Sequence, residues 1–552
     1  MSSIPSSKRQ IALILGAAVV IGLAGCKAPI KKEGDAPDAA DYVRWVPESY
    51  KPPIDERLPR PKELWWEDYG SDELNELVES ALISNYDLRV AVARVAQTRA
   101  QAAVVKSVQY PKVDLLAGYS IQAPEFGMGS AGSTEEYGSR TTWQVGAMVS
   151  YEVDIWGKLG FNTESAYATA LASEFNREAV ALSLVGDVIG SYFQVVSLSE
   201  RIQVSERNLA AISNVGKGLE RKVERGDSTA IDLSQQLILK NNTEAQLNDL
   251  RLQRERAMNR LAVLTGRPPH SFKVKATSIE KFKVPAVKPG LPSDLLCRRP
   301  DIRKAEAELI ASKADLYAAR ANLLPSFTLS GAGGYGSYLL QQFAMPQSLF
   351  YNIGMQLMQS VFDGGKRRAE VQLASAKNVE KLESYANTVL SSLRDVEDAL
   401  AGVALTQRRY DALNQSRNRA QKLAVMSTKV VERGGMDYVQ LYEIQRTVLI
   451  AEDSAVSARS DQLRTTVDLF KSLGGGMKLE NDPCLGGGNL PEPDNRWIAE
   501  AEKADSKQAR KPVLGMQPDN TLGISSDGKM IIEGSGRKLE ESANPGIQNV
   551  VQ

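Results

Sequence analysis

The chain of 552 residues is built from one pattern of elements used twice. At a constant offset of 214, Asp87 corresponds to Asp301. Farther along the offset becomes 208, and residues 223–226 have the same sequence as residues 431–434. Similarity of this kind marks an internal repeat. Each half therefore predicts the same order: a helix, two strands joined by a turn, a long helix, a tight turn and a shorter returning helix.

The two strands of each half are predicted from alternation of apolar and polar residues. We expect them at about 112–121 and 142–154 in repeat one, and at about 326–335 and 350–362 in repeat two. In the second strand, for example, Val149 shares one face with other apolar residues, whereas Gln144 lies on the opposite, polar face. Period-two alternation over about ten residues, with aromatic residues near the ends, is typical of transmembrane barrel strands. On this pattern alone, a half-buried sheet of a soluble protein stays an alternative.

The helical segments 158–225 and 365–433 contain no proline. At about 1.5 Å per residue, each would be roughly 100 Å long as a continuous helix. Each ends at a glycine-containing turn, and a shorter helix returns to about Gly266 or Gly474. We therefore expect two long helical hairpins, over 158–266 and 365–474.

Four strands cannot close a barrel, and an open sheet edge in lipid leaves backbone groups without hydrogen bonds. The smallest common barrel has about eight strands. Two copies of this chain would give a narrow barrel filled by its own side chains, whereas three copies would give twelve strands and a lumen. The chain is therefore expected to associate with itself.

Composition argues against an enzyme and against nucleic-acid binding. Lys+Arg and Asp+Glu both total 67, so no basic excess marks a nucleic-acid surface. The single histidine, His270, lies in a Pro-rich loop, and no metal site or nucleophile–base pair is recognisable. Residues 331–336 satisfy G-x-G-x-x-G, but they lie in a predicted strand that leads into a turn, which does not suit a dinucleotide site. We expect no cofactor.

The N-terminus has the features of an export signal. Lys8 and Arg9 precede an apolar stretch, residues 11–23, that is too short to span a bilayer. It ends in Leu-Ala-Gly-Cys, which resembles the bacterial lipobox, so residues 1–25 are expected to be removed and Cys26 to be lipidated. An ordinary exported protein with a chance cysteine is the alternative. Residues 26–64 then form an extended linker, and no later apolar run of 18 uncharged residues predicts a membrane helix.

Motifs in both halves resemble one family. Residues 291–296 (LPSDLL), 298–302 (RRPDI) and 305–309 (AEAEL), with the junctions 154–158 (DIWGK) and 362–366 (FDGGK), are similar to the outer membrane factors, the TolC-like efflux channels. The lipobox suggests the lipoprotein branch that serves resistance-nodulation-division pumps. The resemblance covers about residues 65–477, with repeat one at 65–290, repeat two at 291–478 and a C-terminal tail at 479–552 that we expect to be poorly ordered.

This resemblance implies a mixed α and β fold in the outer membrane. A homotrimer would form a twelve-stranded transmembrane β-barrel, four strands per chain, that continues into a long periplasmic α-helical barrel. It would meet outer-membrane lipid, dock a periplasmic adaptor and an inner-membrane pump, and conduct drugs, toxic compounds or metal ions passively to the exterior. A duct for type I protein secretion is an alternative, which the lipobox disfavours. A structural coiled-coil lipoprotein is another, which the alternating strands disfavour.

By the same resemblance, the functional site is a periplasmic gate. It assigns gate roles to Asp232, Gln440 and Glu443. Solvated helix-surface positions are the alternative for these residues. The hairpin tips, where an adaptor would dock, carry Arg225, Gly226, Arg433 and Gly434.

The remaining cysteines, Cys297 and Cys484, would lie in the oxidising periplasm near the two ends of repeat two. The sequence leaves open either a disulfide between them or two unrelated thiols. Cys297 also departs from the polar residue that the family usually has at its position.

Overall fold

The computed structural model describes residues 47, 64–122, 140–290, 292–432, 435–436 and 438–475, and two short strands near the C-terminus. The chain divides into two compact units, residues 1–488 and 489–552. In the second unit, Thr521–Ile524 and Met530–Glu533 pair as antiparallel strands, within the tail that was expected to have little order. The first unit contains both repeats.

Repeat one begins with a short 3-10 helix, Trp65–Tyr69, and continues in the expected order. Its elements are α1 (Asp72–Ser84), α2 (Tyr86–Ser107), β1 (Lys112–Gln122), β2 (Arg140–Val153), α3 (Lys158–Glu224) and α4 (Ala230–Leu264). Repeat two has the same order: α5 (Leu295–Arg298), α6 (Pro300–Ala321), β3 (Ser326–Ser337), β4 (Leu349–Met358), α7 (Lys366–Glu432) and α8 (Tyr438–Ser472). Helices α3 and α7 have 67 residues each, so each is about 100 Å long.

The four long strands form one antiparallel sheet in the order β1-β2-β3-β4. Val149 lies opposite Val113 on one side and Gly331 on the other, and Gln144 lies opposite Gly118 and Gly336. Because directly paired residues point to the same side of a sheet, this register keeps the apolar residues of all four strands on one face. The two-faced sheet expected from the alternation is therefore present.

Strand β4 is shorter than the expected 350–362. It ends at Met358, which pairs with Ser326, the first residue of β3. The residue before Ser326 is Pro325, which has no backbone N–H to offer a neighbouring strand. The side-chain amide of Gln359 donates instead to the carbonyl of Leu323, 3.2 Å away, as the chain turns toward α7.

The single helix expected before the strands of repeat one is broken at Asn85 into α1 and α2. Its backbone is extended there (φ −66°, ψ 130°), and its side-chain oxygen accepts from the N–H of Leu88 and caps α2. Its side-chain nitrogen donates to the carbonyl of Leu264 at the end of α4, 3.0 Å away. The break therefore ties the first helices to the end of the returning helix.

Repeat two has the equivalent contact with different chemistry. Arg299, at the position of Asn85 plus 214, is also extended (φ −80°, ψ 120°) and donates to the carbonyl of Ser472, 3.1 Å away. The glycine after each returning helix has a positive φ, +67° at Gly266 and +83° at Gly474. A Cβ at Gly474 would lie 2.8 Å from the carbonyl oxygen of Arg298, so this close approach and the backbone conformation both require glycine.

An aromatic core joins the two repeats at mid-height of the long helices. The ring of Trp65 stacks on Phe470 of α8 with centroids 4.6 Å apart, and Tyr69 meets Phe193 of α3 at 5.1 Å. The Tyr69 hydroxyl lies 3.0 Å from the hydroxyl of Thr466. The N-terminal segment is therefore anchored in the core.

Helix α3 is also long and apolar enough in one stretch to cross a membrane, by length and composition alone. More than half of that stretch is buried inside the protein. Val188, Ile189, Tyr192 and Phe193 all belong to the hydrophobic core. We therefore assign its hydrophobicity to packing between the repeats.

Candidate functional site

The first hairpin tip is a tight glycine turn. Helix α3 ends at Glu224, and Gly226 follows with φ +79°. The N–H of Asp227 donates to the carbonyl of Lys222, 2.8 Å away, which closes the last turn of the helix. Arg225 and Gly226 are exposed at this end of the hairpin, so they are accessible to another protein.

Asp232 is held within its own tip. Its carboxylate accepts from the Thr229 hydroxyl at 2.7 Å, from the Thr229 N–H at 3.1 Å and from the Ser228 hydroxyl at 3.1 Å. The Thr229 hydroxyl in turn accepts from the N–H of Asp232, which completes a capping box. The hydrogen bonds from the Thr229 side chain and backbone hold the pKa of Asp232 below its usual value. In the described part of the chain, this gate candidate stabilises the start of α4.

The second tip repeats part of this geometry. Arg433 and Gly434 lie outside the described residues, but the N–H of Gly435 donates to the carbonyl of Val430 at 3.0 Å, as Asp227 does to Lys222. At the offset of 208, Gln440 occupies the position of Asp232. Gln440 is exposed.

Glu443 lies one turn after Gln440 on α8 and is also exposed. The guanidinium of Arg446 is 3.9 Å from its carboxylate, at the limit of an ion pair. Any ring of Glu443 side chains formed by several copies would therefore include a neighbouring positive charge, which weakens its negative field.

Between the hairpins, polar contacts join α3 and α4 to α8. Gln236 of α4 is buried, and its side-chain nitrogen donates to the carbonyl of Ile212 at 2.9 Å and to the side-chain oxygen of Gln445 at 3.2 Å. Gln236 and Gln445 each lie about two helical turns from the start of their helices, α4 and α8. The two hairpins are thus linked directly above the periplasmic end.

Two further links lie farther from the tips. Arg201 of α3 donates to both carboxylate oxygens of Asp453 at 2.6 and 2.9 Å. The buried carboxylate of Glu452 accepts from Asn208 of α3 at 3.1 Å and from Gln421 of α7 at 2.7 Å. The sequence analysis missed these residues, because a polar residue on a long helix carries no local sign of the helix it will face.

At the other end of the long helices, acidic residues join sheet to helix. Asp154 accepts from the N–H groups of Leu159 and Gly160 at 3.0 and 2.7 Å, and so caps α3. Asp363 does the same for α7 through the N–H of Arg367 at 3.2 Å. Carboxylates are favourable at helix N-termini because they satisfy free N–H groups and the helix dipole. Both hairpins are therefore fixed firmly to the sheet.

The G-x-G-x-x-G segment has a structural role in the polar face of the sheet. A Cβ at Gly334 would lie 2.2 Å from the carbonyl oxygen of Val145, so only glycine allows β2 and β3 to approach so closely. The ring of Phe350 lies over Gly146 and Gly336, within 3.3 and 3.6 Å of where their Cβ atoms would be. These glycines therefore make room for strand pairing and an aromatic ring.

Below the sheet, the four helices α2, α3, α6 and α7 border a cavity of about 880 Å³. Its walls carry both charges, including Arg94, Lys377, Glu308 and Glu380. Mixed charged side chains at a wide opening suit contact with water. In the described part of the chain, no three His, Cys, Asp or Glu side chains come together as a metal site would require.

The cysteine predictions fall partly outside the described residues. Cys26 and Cys484 lie there. Cys297 in α5 is disulfide-bonded. Its pairing with Cys484 stays a prediction.

The chain matches known outer-membrane proteins over both repeats. Residues 77–267 and 291–475 match the family described as outer membrane efflux protein. The pyoverdine export outer membrane protein OpmQ of Pseudomonas aeruginosa is 34% identical over 419 residues, which cover 75% of this chain and 88% of that protein. The outer membrane protein OprJ of the same species is 29% identical over 416 residues, 75% of this chain and 86% of that protein.

Solved channels share the fold. The open state of the MtrE outer membrane channel of Neisseria gonorrhoeae is 27% identical with a TM-score of 0.71, covering 79% of this chain and 96% of that chain. The outer-membrane channel OprN is 28% identical with a TM-score of 0.71, covering 78% of this chain and 98% of that chain.

Proposed function

Since this chain belongs to the outer membrane efflux protein family, we propose that three copies form the outer-membrane channel of a tripartite efflux pump. The protein resides in the outer membrane and extends into the periplasm. Small molecules would pass through it passively, and no covalent chemistry would take place. A periplasmic adaptor and an inner-membrane resistance-nodulation-division pump would deliver the cargo and supply the energy.

The observation that best supports a trimer is the four-stranded sheet with one apolar and one polar face. The outer strands β1 and β4 each leave a row of backbone N–H and C=O groups to which lipid cannot form hydrogen bonds. Three copies would close twelve strands with the polar face inward, around a lumen wide enough for water. The helices α2, α3, α6 and α7, which adjoin the strands, would then continue the wall into the periplasm.

Adaptor docking is proposed at the hairpin tips. Arg225 and Gly226 are exposed on the first tip, and the sequence places Arg433 and Gly434 on the second. One arginine on each tip could donate hydrogen bonds to acidic or carbonyl groups of a partner.

Cys26 is the proposed lipid anchor. Cys26 and Trp65 are 39 residues apart in the sequence, so the linker between them can span at most about 130–140 Å when extended. This length lets an anchor in the membrane be joined to the core that holds Trp65. Palmitate labelling in the native host should mark the unsubstituted protein and not Cys26→Ser, and equal labelling of both would exclude the lipid anchor.

The function is tested by deletion and complementation. A host without this protein should accumulate a fluorescent efflux substrate and become sensitive to toxic compounds, and the intact gene should restore export. The mass of the purified detergent complex should equal three chains, and it should conduct ions in planar bilayers. Unchanged accumulation together with a monomeric complex would contradict the proposal.

A further inference from the structure

The second strand hairpin has an unusual charge distribution. From Ala321 to Phe362, the sequence contains no Asp, Glu, Lys, Arg or His, although 24% of the whole chain is charged. At that fraction, 42 residues would carry about ten charges. The first strand hairpin, β1 and β2, by contrast carries charges within its strands, at Lys112, Asp114, Arg140 and Glu152. The absence is therefore a property of β3, β4 and the loop between them.

The loop between β3 and β4, residues 338–348, is folded. It contains two short 3-10 helices, Leu340–Gln342 and Pro346–Ser348. The buried hydroxyl of Ser348 donates to the carbonyl of Gln342 at 2.6 Å, and the N–H of Leu339 donates to the hydroxyl of Ser337 at 3.2 Å. Its apolar residues are thus presented on an ordered backbone.

Several of these side chains project outward. Leu339 and Leu340 are 56% and 62% exposed, and Met345 is 41% exposed. Leu340 and Phe343 border a cavity of about 350 Å³ that is otherwise lined by strand residues 117–119 and 143–145. Four of these six, Ala117, Tyr119, Trp143 and Val145, belong to the apolar face. The loop therefore continues the apolar face of the sheet.

The height of the loop places it at the outer edge of the membrane. Strand β3 has 12 residues, or about 40 Å along the strand. A tilt of about 40° reduces this to roughly 30 Å along the membrane normal, slightly more than the apolar band of about 25 Å that barrels present to lipid. The aromatic pair Tyr119 and Trp143, with ring centroids 4.5 Å apart, lies near the same level, as aromatic residues do at a membrane interface.

We propose that the β3–β4 loop docks into the outer leaflet and binds lipid acyl chains through Leu339, Leu340 and Met345. A loop that bound anionic headgroups would need Lys or Arg, and a loop in water would leave three large apolar side chains hydrated. Acyl chains match both the missing charge and the continuity with the apolar face. This inference rests on the proposed membrane orientation of the sheet.

The test measures where a probe at Leu340 resides. A fluorophore on Leu340→Cys is placed in the trimer in phosphatidylcholine vesicles, with or without brominated acyl chains. Brominated lipid should quench it strongly, and iodide in water should quench it several-fold less than a probe on Asn352→Cys, on the polar face of β4. The unsubstituted protein, labelled without reductant, measures background from native cysteines.

A probe on Val149→Cys separates failure of this inference from failure of the barrel model. If lipid quenches at Val149 but not at Leu340, the sheet faces lipid and the loop proposal is wrong. Iodide quenching at Leu340 would then place the loop in water or over the channel mouth, and quenching by neither agent would place it against another part of the protein. If lipid does not quench at Val149 either, the orientation of the sheet falls as well.

Discussion

Glu306 is a carboxylic acid in an unfavourable place for its charge. It lies on α6, and burial raises its pKa to about 7, although the positive charge of Arg303 acts in the opposite direction. Tyr385 of α7 is close enough for the charge of Glu306 to contribute, after burial, to a pKa of about 12 for its hydroxyl. A neutral Glu306 therefore suits the folded protein better than an ionised one.

Glu306→Gln should flatten the dependence of stability on pH. Because the pKa is raised on folding, the unsubstituted protein has its full stability below the unfolded pKa of about 4.5 and loses part of it as pH rises through about 7. At pH 8 the variant should be more stable by on the order of 1–3 kcal/mol, allowing for solvent screening. Thermal unfolding between pH 4.5 and 8 measures this. The two proteins should have the same unfolding temperature at pH 4.5. If their unfolding temperatures instead differ by the same amount at every pH, the explanation is contradicted.

Cys484 is the expected partner of Cys297, which is disulfide-bonded. Lipidation would use the thiol of Cys26, and the end of α8 is already adjacent to α5, because Arg299 contacts the carbonyl of Ser472. A bridge around about 190 residues would restrict the unfolded chain, which in the entropy model stabilises by about 5 kcal/mol. A non-reduced digest should contain the two peptides linked, and Cys484→Ser should release a free thiol at Cys297. A bridge from Cys297 to a second copy of the chain would refute the pairing.

At the scale of elements, the sequence was sufficient to predict helices and strands where their pattern is local and repeated. The alternation of β2 predicted which residues share a face, and the proline-free segments predicted α3 and α7. The break at Asn85 had a usable signal, since Asn is a common helix cap. The equivalent break at Arg299 had a different local signal, because Pro300 restricts the residue before it to extended backbone and suits the first position of a helix. The contact of Arg299 with the carbonyl of Ser472 had no such signal, since α8 is distant in sequence.

Which face of β2 meets lipid can be tested with one substitution on each side of the strand. Val149→Arg should cost about 2–4 kcal/mol if Val149 lies near the membrane midplane, because the guanidinium would enter hydrocarbon. Gln144→Ser keeps a small polar group on the opposite face and should have little effect. The measurement is survival of the heat-modifiable trimer on gels. Equal survival of both variants would mean that the assigned faces are wrong.

At the scale of the whole molecule, the two acidic gate candidates should behave differently. Asp232→Ala removes the capping box at the start of α4, so the tip should loosen and the resting conductance should rise. Glu443→Ala removes an exposed charge beside Arg446 and should mainly reduce cation selectivity. Both are measured in planar bilayers. If both variants match the unsubstituted channel in conductance and selectivity, these acids are ordinary surface residues.

The contacts between hairpins lead to a different gate variant. In a channel of parallel hairpins, the resting opening depends on how closely the hairpins pack near their tips, and Gln236 is buried where α4 meets α8. Gln236→Leu keeps the approximate size of the side chain but leaves the half-buried side-chain oxygen of Gln445 without its donor, which is unfavourable.

We expect Gln236→Leu to favour separation of the hairpins. Single-channel conductance should rise, and cells should become more sensitive to vancomycin, which an intact outer membrane excludes. Gln235→Leu is the matched control, because Gln235 is the exposed neighbour on the same helix. If Gln236→Leu forms stable trimers whose conductance equals that of Gln235→Leu, the contact with Gln445 does not hold the channel closed. The longer-range pair of Arg201 and Asp453 would then be the next link between the hairpins to test.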